Sequence, residues 1–425
     1  MRTSGSEGRS LVGGEGLSAT WRPVEASVGP GEPSAAAGTS SLGASLPRFD
    51  RTALRIERIE TIALRAPLPR RFAGSVYAMT ERCTIVTRLY TADGLVSEVY
   101  NGDTDAEQAR IVRIIHEELA PAVLGRSASD PEGAWLAMEP ATNDILRDRS
   151  LALQAIACLD SAIWDVFGKA LGLPLYRLWG AVADDLPISV IGGYYHAELA
   201  EVPRLVERYA AMGFAGCKFK VGGRSPTEDA ARVRAARSAA GPGFALMVDA
   251  NQGYELREAV EFGRRVRDLD IRWFEEPCRW TNDRRCMRDV RAQTGIPVAA
   301  GQSETSLAGL RDLLIEGSID VSNFDASWAG GPTIWRKAAG LCAAFGVELG
   351  HHEEPQIAGH LLASVPRHTF VECFDEERDP FFWRLSDLAT RFANGRFRVP
   401  DRPGFGIVLD WAYVERHAVD RRVSG

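Results

Sequence analysis

From residue 187 to about residue 375 the chain keeps one rhythm, a short apolar run followed by a longer stretch with apolar positions three and four apart. The short runs at 188–194, 217–221, 245–249, 272–275, 298–302, 320–324, 347–350 and 370–374 predict eight strands. The stretches at 198–212, 226–239, 256–269, 307–316 and 333–345 predict amphipathic helices between them. Parallel neighbours need a crossover connection, so repeated β-then-α units predict an α/β fold, a closed parallel (β/α)8-type TIM barrel. In such a barrel the chemistry gathers where strands end and βα loops begin.

The first half reads differently. Residues 1–50 are rich in Gly, Ser, Ala and Pro without apolar periodicity, and predict a flexible tail. Residues 56–66 predict a strand, and 83–90 with 95–100 predict a hairpin about Ala92-Asp93-Gly94. From residue 105 to about 178 the spacing is helical, as in Ala109, Val112, Ile115 and Leu119, and again in Leu151, Ile156, Leu159 and Ile163. An α+β domain over 51–183 therefore precedes a barrel domain over 184–399.

The polar residues change the picture most, because they fall at the predicted strand ends. Lys218 and Lys220 alternate with Cys217, Phe219 and Val221, so both ammonium groups face one way. Mutual repulsion and burial are expected to lower at least one of their pKa values, which would make that lysine a general base. The third strand ends at Asp249, with Asn251 on the same side, and the fourth at Glu275. Carboxylates converging from consecutive strands repel unless a cation neutralises them, and hard oxygen donors suit Mg2+. A salt bridge to the two lysines is the competing explanation. After the fifth strand, either Gln302 or Glu304 can reach the same centre if the strand continues. The sixth strand leads to Asp325 and the seventh to His351 and His352, a pairing that orients an imidazole and raises its basicity. The eighth carries Glu372.

Composition narrows the function classes. A net charge of −7 with no basic block argues against a nucleic-acid or acidic-membrane partner. No continuous apolar run reaches the roughly 20 residues that span a bilayer. The seven cysteines are scattered without a CxxC spacing, which fits reduced thiols and a cytoplasmic location.

Taken together, these residues resemble the enolase superfamily and, within it, the mandelate racemase subgroup. The resemblance covers roughly residues 55–415 and includes Ala157-Cys-Leu-Asp160, Trp164-Asp165, Gly168-Lys169, Gly172-Leu-Pro174, Leu178-Trp-Gly180 and Arg402-Pro-Gly-Phe-Gly406. It implies the (β/α)7β variant of the barrel, with residues 400–425 returning to the capping domain, and a homo-oligomer. It also implies Lys220 as base with Lys218 as its companion, Asp249 and Glu275 as magnesium ligands, and Asn251 as a substrate or metal-shell contact. Asp325 with His352 is then the dyad, and Glu372 the acid that hydrogen-bonds the enediolate. His352 is preferred over His351 for its spacing to Ala358-Gly-His360. The family's third ligand is Glu, where this chain has Gln302, so Gln302 and Glu304 both stay open.

The expected reaction is Mg2+-assisted removal of a proton α to a carboxylate. Stretches 67–80 and 100–105 would cover the substrate with Arg70, Arg71, Tyr77, Tyr100, Asn101 and Asp103, a set suited to hydroxyl groups. This favours dehydration of an acid sugar to a 2-keto-3-deoxy acid, with Tyr100 and Asn101 as substrate contacts. The alternatives are a racemase or epimerase of a 2-hydroxy acid and a non-catalytic barrel that binds a sugar acid.

Overall fold

The computed structural model describes residues 52, 54–101 and 107–425. The tail reading for 1–50 and the loop residue Asp103 lie outside the described residues. Strands β1 (Ile56–Ala73), β2 (Ala78–Thr91) and β3 (Val99–Asn101) form the predicted antiparallel meander. The first two are longer than the sequence pattern suggested. The stretch read as a covering loop at 67–80 is largely the far end of the β1–β2 hairpin, where Phe72 pairs with Met79 and Ala73 with Ala78. Its tip rests on the barrel: Ser75 Oγ donates to the Ala250 carbonyl at 2.6 Å, and the Tyr195 N–H donates to the Ala73 carbonyl at 3.1 Å.

One long helix, Arg149–Leu171, packs against the meander. Its start is capped by Asp148, which accepts from the Ser150 N–H, and it ends at Gly172 with φ 66°. Among the described residues it is the one helix long and apolar enough to cross a membrane, and 89% of its apolar window is buried inside the structure. Its two buried aspartates act as clamps. Asp160 accepts from both the N–H and the Oγ1 of Thr333, and Asp165 accepts from the Phe405 N–H. A Cβ on Gly168 would lie 2.9 Å from the Gly404 Cα, so this close approach requires glycine.

The barrel strands are β4 (Asp185–Gly192), β5 (Gly216–Lys220), β6 (Ala245–Asp249), β7 (Ile271–Glu275), β8 (Val298–Ala300), β9 (Val321–Ser322), β10 (Glu348–Leu349) and β11 (Val371–Phe374). Each of β4 to β9 pairs in parallel with the next, and β11 pairs with β4. The ring closes between β10 and β11 through the Leu349–His368 bridge. Helices Val202–Ala211, Pro226–Ala240, Leu256–Val266, Asp283–Thr294, Leu307–Ile315, Pro332–Phe345 and Pro355–Ala363 follow the first seven strands in turn. In place of a full-length helix, the five-residue helix Pro380–Arg384 comes directly after β11, so the last unit is truncated and the architecture is (β/α)7β.

Two of these helices escaped the sequence pattern for opposite reasons. In Asp283–Thr294 only Met287 and Val290 are buried, whereas every residue of Pro355–Ala363 is buried and no polar face remains. A hairpin of β12 (Phe392–Ala393) and β13 (Arg396–Arg398) pairs with the start of β4, and β14 (Ala418–Ser424) returns antiparallel to β1. Residues Asp50–Gly425 form one compact unit.

Candidate active site

Lys218 and Lys220 sit on β5 with both side chains buried at the barrel mouth. Strand register brings their partners alongside, since Lys220 pairs across the ladder with Asp249, and Asp249 with Glu275. The Lys220 ammonium donates to Asp249 Oδ2 at 2.7 Å and to Asn251 Oδ1 at 2.9 Å. That of Lys218 donates to Glu275 Oε1 at 2.7 Å and to Glu372 Oε2 at 2.8 Å. Glu275 is held further by Trp273 Nε1 at 2.9 Å and Asn323 Nδ2 at 2.6 Å. Five residues expected together, Lys218, Lys220, Asp249, Glu275 and Glu372, therefore share one buried cluster, with Asn251 on its edge.

The expectation that a lysine pKa falls is corrected here. Burial does press both ammonium groups toward neutrality, but Glu275, Glu372 and Asp249 outweigh it for Lys218, and Asp249 together with Tyr77 and Tyr194 outweighs it for Lys220. Both lysines are held charged, and repulsion between them is the smaller effect. The carboxylates respond unequally. Burial raises Asp249, yet Lys220 and Lys218 bring it below the usual range. For Glu275 burial prevails over Lys218, helped by Asp249 and Glu372, and its carboxyl is pushed up to about 8.

Gln302 lies past the end of β8, because Gly301 at φ 135° turns the chain out of the strand. Its N–H donates to Asn323 Oδ1 at 3.2 Å, and its Oε1 lies 3.4 Å from Asn323 Nδ2, the atom that also holds Glu275. Glu304 is not brought to this cluster. With the strand ended at Ala300, its side chain turns to Arg284 and accepts from Nη2 at 2.7 Å. The residues that fit magnesium are thus Asp249, Glu275 and Gln302, all oxygen donors at the ends of adjacent strands. Glu275, which burial holds toward its neutral form, is the donor whose charged form a divalent cation would favour.

Across the mouth, Asp325 follows β9, four strands round the barrel from β5. Asp325 Oδ2 lies 2.9 Å from His352 Nδ1, and Glu353 Oε1 lies 3.2 Å from His352 Nε2. Burial alone would lower the imidazole pKa, but Glu353 and Asp325 raise it well above the ordinary value. His351 serves a different purpose. Its Nε2 accepts from the Ala326 N–H at 3.0 Å, which leaves Nδ1 to donate to the His352 carbonyl at 2.8 Å. Trp328 stands edge-on to His352 with ring centres 5.0 Å apart.

Tyr100 and Asn101, expected to touch substrate, are instead buried where the meander meets the barrel. Asn101 Nδ2 donates to Ser161 Oγ and Ser327 Oγ, and the Tyr100 carbonyl accepts from Gln356. The short β3 is hydrogen-bonded to β2 and packs on the long helix, which turns both residues inward. Arg70 pairs with Glu377 in a half-exposed position, while Tyr77 places its ring centre 5.5 Å from the Lys220 ammonium. Sequence reasoning missed Asn323 and Glu353. The first shares the alternation of Asp325, two residues on, and the second directly follows the dyad histidine.

A barrel whose mouth joins paired lysines, strand-end oxygen donors and a His–Asp dyad defines an enzyme of acid–base chemistry beside a metal. The match to known proteins gives the family. The profile for an enolase C-terminal domain-like region covers residues 201–413, and that for the mandelate racemase/muconate lactonizing enzyme N-terminal domain covers 58–180. The chain belongs to the enolase superfamily, in its mandelate racemase/muconate lactonizing enzyme branch.

It is 31% identical to a 3,6-anhydro-alpha-L-galactonate cycloisomerase of Streptomyces coelicolor, over 86% of this chain and 99% of that protein. A mandelate racemase/muconate lactonizing enzyme from a marine actinobacterium, solved in complex with magnesium, is 49% identical with a TM-score of 0.81, covering 86% of this chain and 100% of that one. The L-talarate/galactarate dehydratase of Salmonella typhimurium, liganded with Mg and L-lyxarohydroxamate, is 27% identical with a TM-score of 0.81 over 92% and 99% of the two chains. Relatives thus include acid-sugar dehydratases, cycloisomerases and an epimerase, and related structures carry magnesium. The protein is an enzyme of magnesium-dependent enolase-superfamily chemistry.

Proposed function

We propose that this enzyme dehydrates an acid sugar to a 2-keto-3-deoxy acid. The observation that carries the reading is the placement of Lys220 and the His352–Asp325 dyad at strand ends on different sides of one mouth. Magnesium held by Asp249, Glu275 and Gln302 would supply positive charge toward a substrate carboxylate. Lys218 faces the same carboxylate and stabilises charge that develops on it as the α C–H bond breaks. Lys220 in its neutral form would take the α-proton. His352 gives its proton to the β-hydroxyl, which leaves as water, and the resulting enol becomes the 2-keto acid. Glu372 and Asn251 hold Lys218 and Lys220 in place, and the hairpin tip with Tyr77 limits the access of water. In this reading residues 51–183 with 400–425 cover the mouth that 184–399 builds.

The test is a panel of mono- and diacid sugars incubated with enzyme and Mg2+, followed for 2-keto acid. A keto acid from at least one member supports dehydration. Inverted substrate without keto acid would replace it with racemisation, and no turnover together with no thermal stabilisation by Mg2+ would refute both.

A further inference from the structure

The imidazole of His352 is bracketed by carboxylates. Asp325 lies on Nδ1 at 2.9 Å, and Glu353, the next residue in the chain, lies on Nε2 at 3.2 Å. Reaching back to the ring of the preceding residue demands unusual backbone. Glu353 and Glu354 both adopt φ 53°, consecutive left-handed positions for residues that carry a Cβ. Such strain persists only where surrounding contacts over-determine it. They are present here: His351 Nδ1 reaches the carbonyls of His352 and Glu353 at 2.8 and 3.3 Å. The Glu353 N–H lies 3.3 Å from Glu372 Oε2, and Glu354 accepts a hydrogen bond from Ser327 Oγ.

Glu353 is also tied to the meander. Arg82 on β2, buried, donates from Nη1 to Glu353 Oε2 at 3.4 Å and from Nη2 to Asp379 Oδ2 at 3.1 Å. A chain of charges, Asp379–Arg82–Glu353–His352–Asp325, therefore runs from β2 to the dyad. We infer that Glu353 is a positioning residue that fixes His352 as the imidazolium, so that His352 enters the reaction as its acid and not as its base. The inference rests on the proposed dehydration and names the residue that keeps His352 ready for the donor role it has there.

The charged groups around His352 support that sense. Asp325 and Glu353 touch the ring, Glu276 just past β7 is close enough to feel its charge, and Arg82 and Arg378 act on it through Glu353. His351 is held neutral by burial, helped by the neighbouring His352. Burial opposes the charge on Glu353, yet His352, Arg82 and Arg378 hold its carboxyl below the usual carboxylate range. An imidazolium hydrogen-bonded at both nitrogens has no lone pair with which to take a substrate proton, but has one to give when a hydroxyl displaces Glu353 from Nε2. The proton given to the leaving hydroxyl is balanced by the α-proton that Lys220 receives.

The experiment is an NMR titration of the His352 ring in the full-length enzyme without substrate, its signal assigned by its loss in His352→Asn. It is run on the wild type, Glu353→Gln and Glu353→Asp. The Gln variant should titrate lower by about one pH unit or more, and the Asp variant should recover part of that shift. The alkaline limb of kcat/KM, on whatever substrate the panel identifies, should move down in parallel. An unchanged midpoint in Glu353→Gln, or an Asp variant that follows the Gln variant, overturns the inference. Because the titration needs no substrate, its failure is distinguishable from that of the dehydration reading, which the sugar panel decides.

Discussion

His352 and His360 lie eight residues apart, both buried, and are held in opposite states. His352 stands at the barrel mouth between two carboxylates, and its pKa is raised well above the ordinary value. His360 lies in the seam between helix Pro355–Ala363 and the short helix Leu175–Trp179. There Nδ1 accepts from the Tyr176 N–H at 3.1 Å and Nε2 donates to the Phe405 carbonyl at 2.9 Å, and burial pushes its pKa down to about 3. Burial disfavours the charged form in both places. What separates them is the number of carboxylates within reach: two at the mouth and none among the seam residue's hydrogen-bond partners. The mouth concentrates charges that fold stability alone does not require, and the seam satisfies every nitrogen with a neutral backbone partner.

The sharpest way to break this comparison is to remove a charge from the mouth. Lys220→Ala should lower kcat/KM by about 10^3-fold or more while leaving the far-UV spectrum and cooperative unfolding intact. Near-normal turnover would show that the α-proton goes elsewhere. His352→Asn should cost about 10^2- to 10^4-fold in keto-acid formation. Exchange of the α-proton in D2O should survive in that variant and vanish in Lys220→Ala, which separates the acid from the base.

Metal comes next. Saturating Mg2+ should stabilise the enzyme by about 2 to 3 kcal/mol at a concentration near 100-fold above Kd, read as a rise in Tm that EDTA reverses. Gln302→Glu should tighten that binding by isothermal calorimetry, because it adds a carboxylate to the donor set.

The seam makes a smaller, pH-dependent contribution. Above pH 6.5 His360 is neutral in the folded and unfolded chain alike. Between 6.5 and about 3 the unfolded chain binds a proton that the fold refuses, so stability falls as pH falls. The slope should be about 1.4 kcal/mol per pH unit from this group, and urea midpoints of His360→Gln should show a shallower loss between pH 6 and 5. The smallest effect belongs to Glu304→Gln. It breaks the pair with Arg284 and should leave Mg2+ affinity unchanged within error, since Glu304 lies off the cluster.

Local pattern alone determined a good deal of this protein. Alternation along β5 placed Lys218 and Lys220 on one face, the repeated apolar runs counted the barrel strands, and polar residues at their ends marked the mouth. These are properties of two-residue and 3.6-residue periods, which a stretch of sequence carries by itself. Helix Pro355–Ala363 was not legible because a fully buried helix has no polar face to set against an apolar one. Tertiary structure decided the rest. Whether the lysines are charged depends on Asp249, Glu275 and Glu372, supplied by other strands. The end of β8 at Ala300 sent Glu304 to Arg284, and β3 turned Tyr100 and Asn101 into the joint with the barrel. Glu353 became a partner of His352 only through a left-handed turn held by His351 and Arg82. Charge state and direction are set by neighbours distant in the chain, because a buried group's pKa depends on how many charges the fold places within a few ångströms of it.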